Sequence, residues 1–383
     1  MLRQWLNRVQ QAASHQIFRS SYSTVSQVEV DIEPYRLHGI ENGPKNSAVL
    51  TRDDALKFYK EMVAVRKMET EASNMYKNKE IRGFCHLYSG QEACCVGMES
   101  VIRKTDAVIT AYRAHGWTYI RGVPMASVFA ELTGKQAGCA KGKGGSMHMY
   151  GKGFYGGNGI VGAQVPLGAG IALAMKYQGT DNICLTLYGD GAANQGQVFE
   201  AYNMAKLWDL PVIFICENNK YGMGTAAHRA AACTEFHSRG DYIPGIWVDG
   251  MDVIAVRNAA EWGAEWCRSG KGPLVMEIET YRYHGHSMSD PGTSYRTRDE
   301  VAEVRKLRDP INQFKQKILD LNLVTAEEIQ VLDKEVKEEV KQAVKIAKEE
   351  IELPLEEMYN DIYANPDSGY QVRGTDMAMH ASK

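Results

Sequence analysis

Gly189-Asp190-Gly191 is followed, after 26 residues, by Asn218-Asn219. A carboxylate and an amide carbonyl are hard oxygen ligands of the kind Mg²⁺ prefers, and Mg²⁺ takes few protein ligands and shares the rest with ligand phosphates. Gly191 and Gly196 leave room for a diphosphate near the N-terminus of a following helix. Gly-Asp-Gly alone is a common turn. Its weight here comes from the paired asparagines at this spacing, each motif standing just after an apolar run.

Strands must hold the two motifs. Residues 183–188 (Ile-Cys-Leu-Thr-Leu-Tyr) and 212–217 (Val-Ile-Phe-Ile-Cys-Glu) are short apolar runs, with a helical stretch at 197–208 between them. That is one βαβ unit. Asp190 and Asn219 therefore fall at the carboxyl ends of neighbouring parallel strands, where α/β sheets bind ligands. The alternation continues with strand 107–110, helix 163–178, a short strand near 246–248, helix 252–268 and strand 274–280. The pattern predicts an α/β fold, a parallel sheet covered by helices on both faces. Thr51-x-x-Asp54 opens a further helix, and others are expected over 91–103 and 123–132. Residues 134–160 read as a glycine-rich loop and 282–300 as a polar loop. Thr325-x-x-Glu328 is a capping box for a long helix ending near Pro354, striped by Ile329, Leu332, Val336, Val340, Val344, Ala347 and Ile351. The division is thus an extended arm at 29–50, an α/β domain at 51–324, and a helical extension and tail at 325–383.

Composition sets the bounds. The chain has 383 residues, 44% apolar and 24% charged, which excludes wholesale disorder. Its net charge of −3 provides no general attraction for nucleic acid. No apolar run approaches the roughly 20 residues of a membrane-spanning helix. The eight cysteines include no C-x-x-C pair and read as reduced, mostly buried thiols. Glycine, 36 in all, clusters between 134 and 196 and suggests backbone brought close to a ligand. Residues 1–28 carry Arg3, Arg8 and Arg19 but no acid, with Trp5, Leu6 and Val9 able to share a helix face. They read as a mitochondrial presequence, whose removal would take the charge from −3 to −6 by loss of three arginines.

The strand-end motif looks like the thiamine-diphosphate fingerprint. From about 50 to 375 the chain resembles the α subunits of the thiamine-diphosphate-dependent 2-oxo acid dehydrogenase E1 family. Further segments carrying the resemblance are Arg82-Gly-Phe-Cys-His86-Leu, Ile109-Thr-Ala-Tyr112-Arg113-Ala-His115-Gly, Lys141-Gly-Lys-Gly-Gly-Ser-Met-His-Met149, Phe154-Tyr-Gly-Gly-Asn-Gly-Ile-Val-Gly162 and Tyr281-Arg-Tyr-His-Gly-His286-Ser287-Met-Ser-Asp-Pro291. The resemblance implies a thiamine-diphosphate-binding fold with helical extensions at both ends. It implies that Asp190, Asn219 and the Tyr221 carbonyl hold Mg²⁺, and that Tyr112 and Arg113 reach the diphosphate. Gly159, Val161, Gly191 and Ala192 would line the cofactor. His86 and His286 would stand near the reacting carbons and the diphosphate, His286 handling protons or orienting the acyl acceptor.

The same resemblance implies oxidative decarboxylation of a 2-oxo acid and acyl transfer to the lipoyl domain of an E2 partner, in the mitochondrial matrix. The loop wording Met288-Ser-Asp-Pro-Gly-Thr-Ser-Tyr-Arg296 is closer to the pyruvate-specific members than to the branched-chain E1 α subunits, the nearest alternative. The glutamate that activates the aminopyrimidine belongs to the E1 β subunit in this family, so the site is expected to be shared in an α₂β₂ tetramer. Glu92 and Glu200 are the candidates for that role within this chain. Ser287 and Ser294 match positions phosphorylated by a dedicated kinase and restored by a phosphatase. The third such position is Ala226 here, so control at that point is absent. Gly151 replaces a common alanine, with little effect expected.

Other motifs point elsewhere. Gly157-Asn-Gly159-Ile-Val-Gly162 matches G-x-G-x-x-G but follows no β-branched strand, which argues against a dinucleotide site and an NAD-dependent oxidoreductase. Gly138-Cys-Ala-Lys-Gly-Lys-Gly has the wrong spacing for a P-loop, leaving Lys141 and Lys143 as an anion patch or as solvated lysines. His284-Gly-His286 lacks the further ligands a zinc site needs. A non-catalytic subunit that kept the fold is the last alternative, and the Asp190/Asn219 pair with both histidines argues against it.

Overall fold

The computed structural model describes residues 25–365; most of the expected presequence, and the tail from 366 onward, lie outside the described residues. The apolar runs form a six-stranded sheet with β2 (Arg36–His38) at one edge, then β9 (Gly245–Asp249), β10 (Leu274–Glu279), β6 (Val212–Asn218), β5 (Cys184–Gly189) and β4 (Ala107–Ile109) at the other. All neighbours are parallel except β2, which runs antiparallel to β9. Outside this sheet, the two-residue strands β7 (Tyr221–Gly222) and β8 (Thr225–Ala226) pair as a hairpin. Leu187 lies beside Ile215 and Gly189 beside Glu217, so the two motif-bearing strands end level. β5, β6 and β10 are buried on both faces, as continuous apolar strands must be when helices cover the sheet.

The covering helices are α1 (Arg52–Lys77), α2 (Glu92–Glu99), α3 (His115–Ile120), α4 (Met125–Leu132), α5 (Gln164–Tyr177), α6 (Gly196–Leu207), the short α7 (Ala227–Ala230) and α8 (Val253–Arg268). Three more follow the sheet: α9 (Arg298–Arg308), α10 (Pro310–Asp320) and α11 (Ala326–Glu349). Thr51 caps α1 by accepting from the Asp54 amide. Phe58, Met62, Val65, Met68, Ala72 and Met75 form the buried stripe of α1. The capping box at Thr325/Glu328 is present in full, and α11 lays Ile329, Val336, Val340, Ala343 and Ala347 inward.

Four features differ from the sequence reading. The helix expected over 91–103 ends at Glu99, and Asp106 accepts from the Arg103 amide at 2.7 Å and turns the chain into β4. The long C-terminal helix stops at Glu349, five residues before Pro354. Helices α3, α7, α9 and α10 fall where the sequence pattern marks no helix; Thr297 and Asp309 cap the last two. Residues 29–50 are extended, and they also pair. β1 (Gln27–Asp31) runs antiparallel to β3 (Ser47–Thr51), and β2 between them closes one edge of the main sheet.

Candidate active site

The carboxyl ends of β5 and β6 carry one cluster. Asp190 follows β5 and is 3% exposed. Burial pushes its carboxyl up to about 6, against the pull of backbone amides at Asp190 and Asn219 and the charges of Arg282 and Lys220. Asn219 follows β6, donates its amide to Gln91 at 3.3 Å, and leaves its buried Oδ1 without a hydrogen-bond partner. Such an acceptor is costly unless something occupies it. Asn218 faces away, donating to Glu277 at 2.8 Å. Lys220 turns through φ +73°, which delivers Tyr221 and Gly222 beneath Gly191. A Cβ on Gly191 would come within 3.1 Å of the Gly222 Cα, so the two loops touch backbone to backbone. Ala192 is buried in the turn that leads to α6.

Three rings and a buried guanidinium form a second cluster, linked to the first through the charge of Arg282. The His86 ring lies 4.6 Å from Tyr112 and 5.1 Å from His286, and Tyr112 lies 5.3 Å from His286. Arg113 is buried and donates to the carbonyls of Leu87 and, at 2.9 Å, His286. It has no carboxylate partner among the described residues, nor does buried Arg282, which donates to the carbonyls of His284 and Met223 and to the Tyr295 hydroxyl. Burial, then the cation of Arg113, lower His86 to about 2 and His286 to about 4. Both imidazoles are neutral at pH 7, and each leaves Nδ1 buried without a partner. Arg282 makes the link between the clusters, since its charge acts on Asp190 and on both histidines.

The segment Cys85–Tyr88, which carries His86, is tied at every residue. Met288 donates to the Cys85 carbonyl at 2.9 Å, the His86 amide donates to Ser146 Oγ at 3.2 Å, Arg113 holds Leu87, and the Tyr88 amide donates to Glu69 at 2.8 Å. His115 sits fully buried between Glu69 (2.9 Å) and Ser146 (2.8 Å). Tyr88 also donates its hydroxyl to Glu217, whose carboxyl is raised to about 7 by burial.

The glycine-rich loop closes on itself. The Glu131 carboxylate accepts from the amides of Ala140 (2.7 Å), Gly142 (2.9 Å), Gly144 (2.7 Å) and Gly145 (3.1 Å). Lys141 and Lys143 point outward and pair with Asp361. Gly159 and Val161 lie on the following loop. There Gln195 donates to the Val161 carbonyl at 3.2 Å, so this loop borders the start of α6, with Val161 exposed. The two serines differ: Ser287 is 4% exposed, 2.8 Å from Ser289, while Ser294 is exposed on the same loop. A cavity of about 380 Å³ opens behind this loop, lined by Ser287, Asp290, Arg296 and Val301 among others.

Glu92 is not free for chemistry. It is fully buried, bound by the Arg66 guanidinium and by the Gly90 amide. Glu200 is exposed on the surface of α6. Neither carboxylate stands among the rings.

With this geometry in view, the sequence profile named "Dehydrogenase E1 component" matches residues 60–356. The chain belongs to that E1 family. A relative from Caenorhabditis elegans, "Probable pyruvate dehydrogenase E1 component subunit alpha, mitochondrial", is 62% identical over 91% of this chain and 88% of its own. One from Sminthopsis macroura, named "Pyruvate dehydrogenase E1 component subunit alpha, mitochondrial", is 62% identical over 90% of this chain and 94% of its own. The human somatic form is 58% identical over 96% and 94% respectively. The E1 family depends on thiamine diphosphate, and the residues here suit it. Two unpaired buried guanidinia can meet a diphosphate. The Gly191–Gly222 contact leaves no side chain in the way, and Asn219 Oδ1 awaits a partner. No group of three or more His, Cys, Asp or Glu side chains that could hold a metal occurs among the described residues, so any cation would need oxygens from outside such a cage. No helix among them is long and apolar enough to cross a membrane.

Sequence reasoning did not single out Glu69, Gln91, Glu131, Ser146, Glu217 or Arg282. Arg282 and Ser146 lay inside quoted motifs without a role. Glu69 had one faint signal, an acid on the apolar side of a helical stripe.

Proposed function

We propose that this chain is the α subunit of an α₂β₂ E1 enzyme of the mitochondrial matrix that decarboxylates pyruvate oxidatively and passes the acetyl group to the lipoyl domain of E2. The observation that carries the substrate is the 58–62% identity, along nearly the whole chain, to relatives named for pyruvate. The branched-chain alternative is not favoured by any of these relatives. When bound, thiamine diphosphate supplies the nucleophilic carbon and the electron sink that CO₂ loss requires. Asp190, Asn219 and the Tyr221 carbonyl would hold Mg²⁺ against its diphosphate, giving the unpartnered Asn219 Oδ1 its ligand. Tyr112 and Arg113 would bind the phosphate oxygens, and Gly159, Val161, Gly191 and Ala192 would line the group.

His86 and His286 work as neutral imidazoles. His286 handles protons or orients the acyl acceptor as it approaches, and His86, the more strongly held neutral of the two, offers its unpartnered Nδ1 to the same region. The β subunit contributes the activating glutamate, as the family resemblance implies, a reading supported by the engagement of Glu92 with Arg66 and the exposure of Glu200. A kinase and a phosphatase act on Ser287 and Ser294. A phosphate adds roughly −1.5 to −2 charges, and at Ser287 that charge enters a buried position one residue from His286.

The deciding experiment is dye-coupled oxidation of pyruvate and of a branched 2-oxo acid by the chain isolated with its native partner. Turnover of pyruvate that needs thiamine diphosphate and Mg²⁺, and is lost when the partner is stripped, is expected. Preference for the branched acid would move the assignment to the sister enzyme. Turnover indifferent to the cofactor would remove it.

A further inference from the structure

The motif residues explain what touches the cofactor, and they leave unexplained why so much buried polar chemistry stands behind His86. Four carboxylate, imidazole and hydroxyl contacts lie in one line. The His86 amide donates to Ser146 Oγ (3.2 Å), and Ser146 Oγ meets His115 Nε2 (2.8 Å). His115 Nδ1 meets Glu69 (2.9 Å), and the second oxygen of Glu69 accepts from the Tyr88 amide (2.8 Å). Glu69, His115 and Ser146 are all buried, His115 and Glu69 completely. With Glu69 accepting at Nδ1–H, His115 Nε2 is the acceptor for the Ser146 hydroxyl, whose oxygen then accepts from His86. Every N–H and O–H in the line then has an acceptor.

The line has an anchor beyond its own ends. Ser146 directly follows Gly145, the last of the four amides held by Glu131. An apolar core would have packed this space without the penalty of burying polar groups.

We propose that Glu69, His115 and Ser146 are positioning residues that clamp the backbone on either side of His86 and so aim its free Nδ1 at the reacting group. The proposal rests on the function proposed above for its kinetic readout. Neither His115 nor Ser146 bonds the Asp190/Asn219 pair or Arg113, whereas the Glu69 charge also acts on Arg113, so the separation of ring placement from cofactor binding is read on Ser146→Ala. A misplacement of about 1 Å at a reacting group can cost about 100-fold, and losing a supporting partner typically costs about 10- to 100-fold.

The test uses the α₂β₂ tetramer carrying Ser146→Ala, Glu69→Gln, or both. The expected result is a fall in kcat of about 10- to 100-fold for Ser146→Ala, with the dissociation constant of thiamine diphosphate and the KM for pyruvate within about twofold of wild type. The double variant is expected to be no worse than the worse single, because the two act in one line. Amide hydrogen exchange is expected to speed up in the peptide spanning 85–88 and to stay unchanged in β5 and β6. An unchanged kcat and exchange pattern would overturn the proposal. So would a loss of cofactor affinity together with exchange throughout the sheet, or failure of both single variants to assemble, since either result means a general structural role. A wild-type tetramer inactive on pyruvate would sink the proposed substrate, and the exchange comparison would still decide the clamp.

Discussion

Two glycine-rich turns in this molecule are built alike and used oppositely. In the loop 138–145, backbone amides converge on a point, and the Glu131 carboxylate fills it with four hydrogen bonds. At Gly191 and Gly222 the backbones also meet closely, yet no side chain enters, and a buried oxygen beside them has no partner. The first turn has satisfied its anion site from within. The second is left for a ligand. Glycine content therefore marks close backbone approach in both places and, under the function proposed above, a binding site in only one. The lysines of the first loop, which could be read as an anion patch, face solvent and hold Asp361.

Removing each anion should separate the two. Glu131→Ala strands several half-buried amides and is expected to cost about 2–4 kcal/mol of stability, read as an earlier midpoint in denaturant; a small shift would mean that water replaces the carboxylate freely. Asp190→Ala should do the reverse. Cofactor-dependent turnover is expected to fall at least about 100-fold, while the melting temperature without cofactor holds or rises, because a carboxyl disfavoured by burial has gone. Simultaneous loss of fold would show that Asp190 is structural after all.

A gentler probe is pH. The Asp190 carboxyl is raised to about 6 without an ion, so below pH 6 protons compete for the site. Mg²⁺-dependent cofactor affinity should weaken by up to about tenfold per pH unit between 6 and 5; titration by calorimetry at pH 7, 6 and 5 reads this directly, and a flat profile would exclude Asp190 as the ligand. The smallest effect belongs to Lys141→Ala. Its pairing with Asp361 is exposed, and activity and melting should both match wild type. A clear loss of cofactor affinity there would restore the anion patch and erase the contrast.

What was legible in the sequence is what depends on neighbours in the chain. The β5–α6–β6 unit stood out because two all-apolar runs bracket a helix, and the Thr325/Glu328 box announced its helix within four residues. Helix α9 buries no residue, so no apolar stripe betrayed it among its charges. Helix α10 was readable in principle, from Asp309-Pro310 and the spacing of Ile311, Phe314 and Ile318. The site divides the same way. Asp190 and Asn219 follow from strand ends, and Tyr112, Arg113, His86 and His286 came from motif resemblance. The tie from Arg113 to His286 spans 173 residues and the supporting one from His115 to Glu69 spans 46, and no local pattern encodes them. Nor does sequence say that Ser287 is buried and Ser294 is not.

The sheet's outer strands have a bearing on the life of the chain before it meets its partner. β2 and β4 are three residues each. The free side of β4 is already taken by residues 153–156, which exchange backbone hydrogen bonds with Val108 and Thr110. A subunit waiting for assembly at high local concentration is at risk of templating fibrils through any long unpaired strand. Here a passing copy would find one short border and one that is covered. Unassembled chains should therefore associate through the apolar side chains exposed on α5 and α6, such as Leu167, Leu173 and Leu207, rather than through the edges of this sheet.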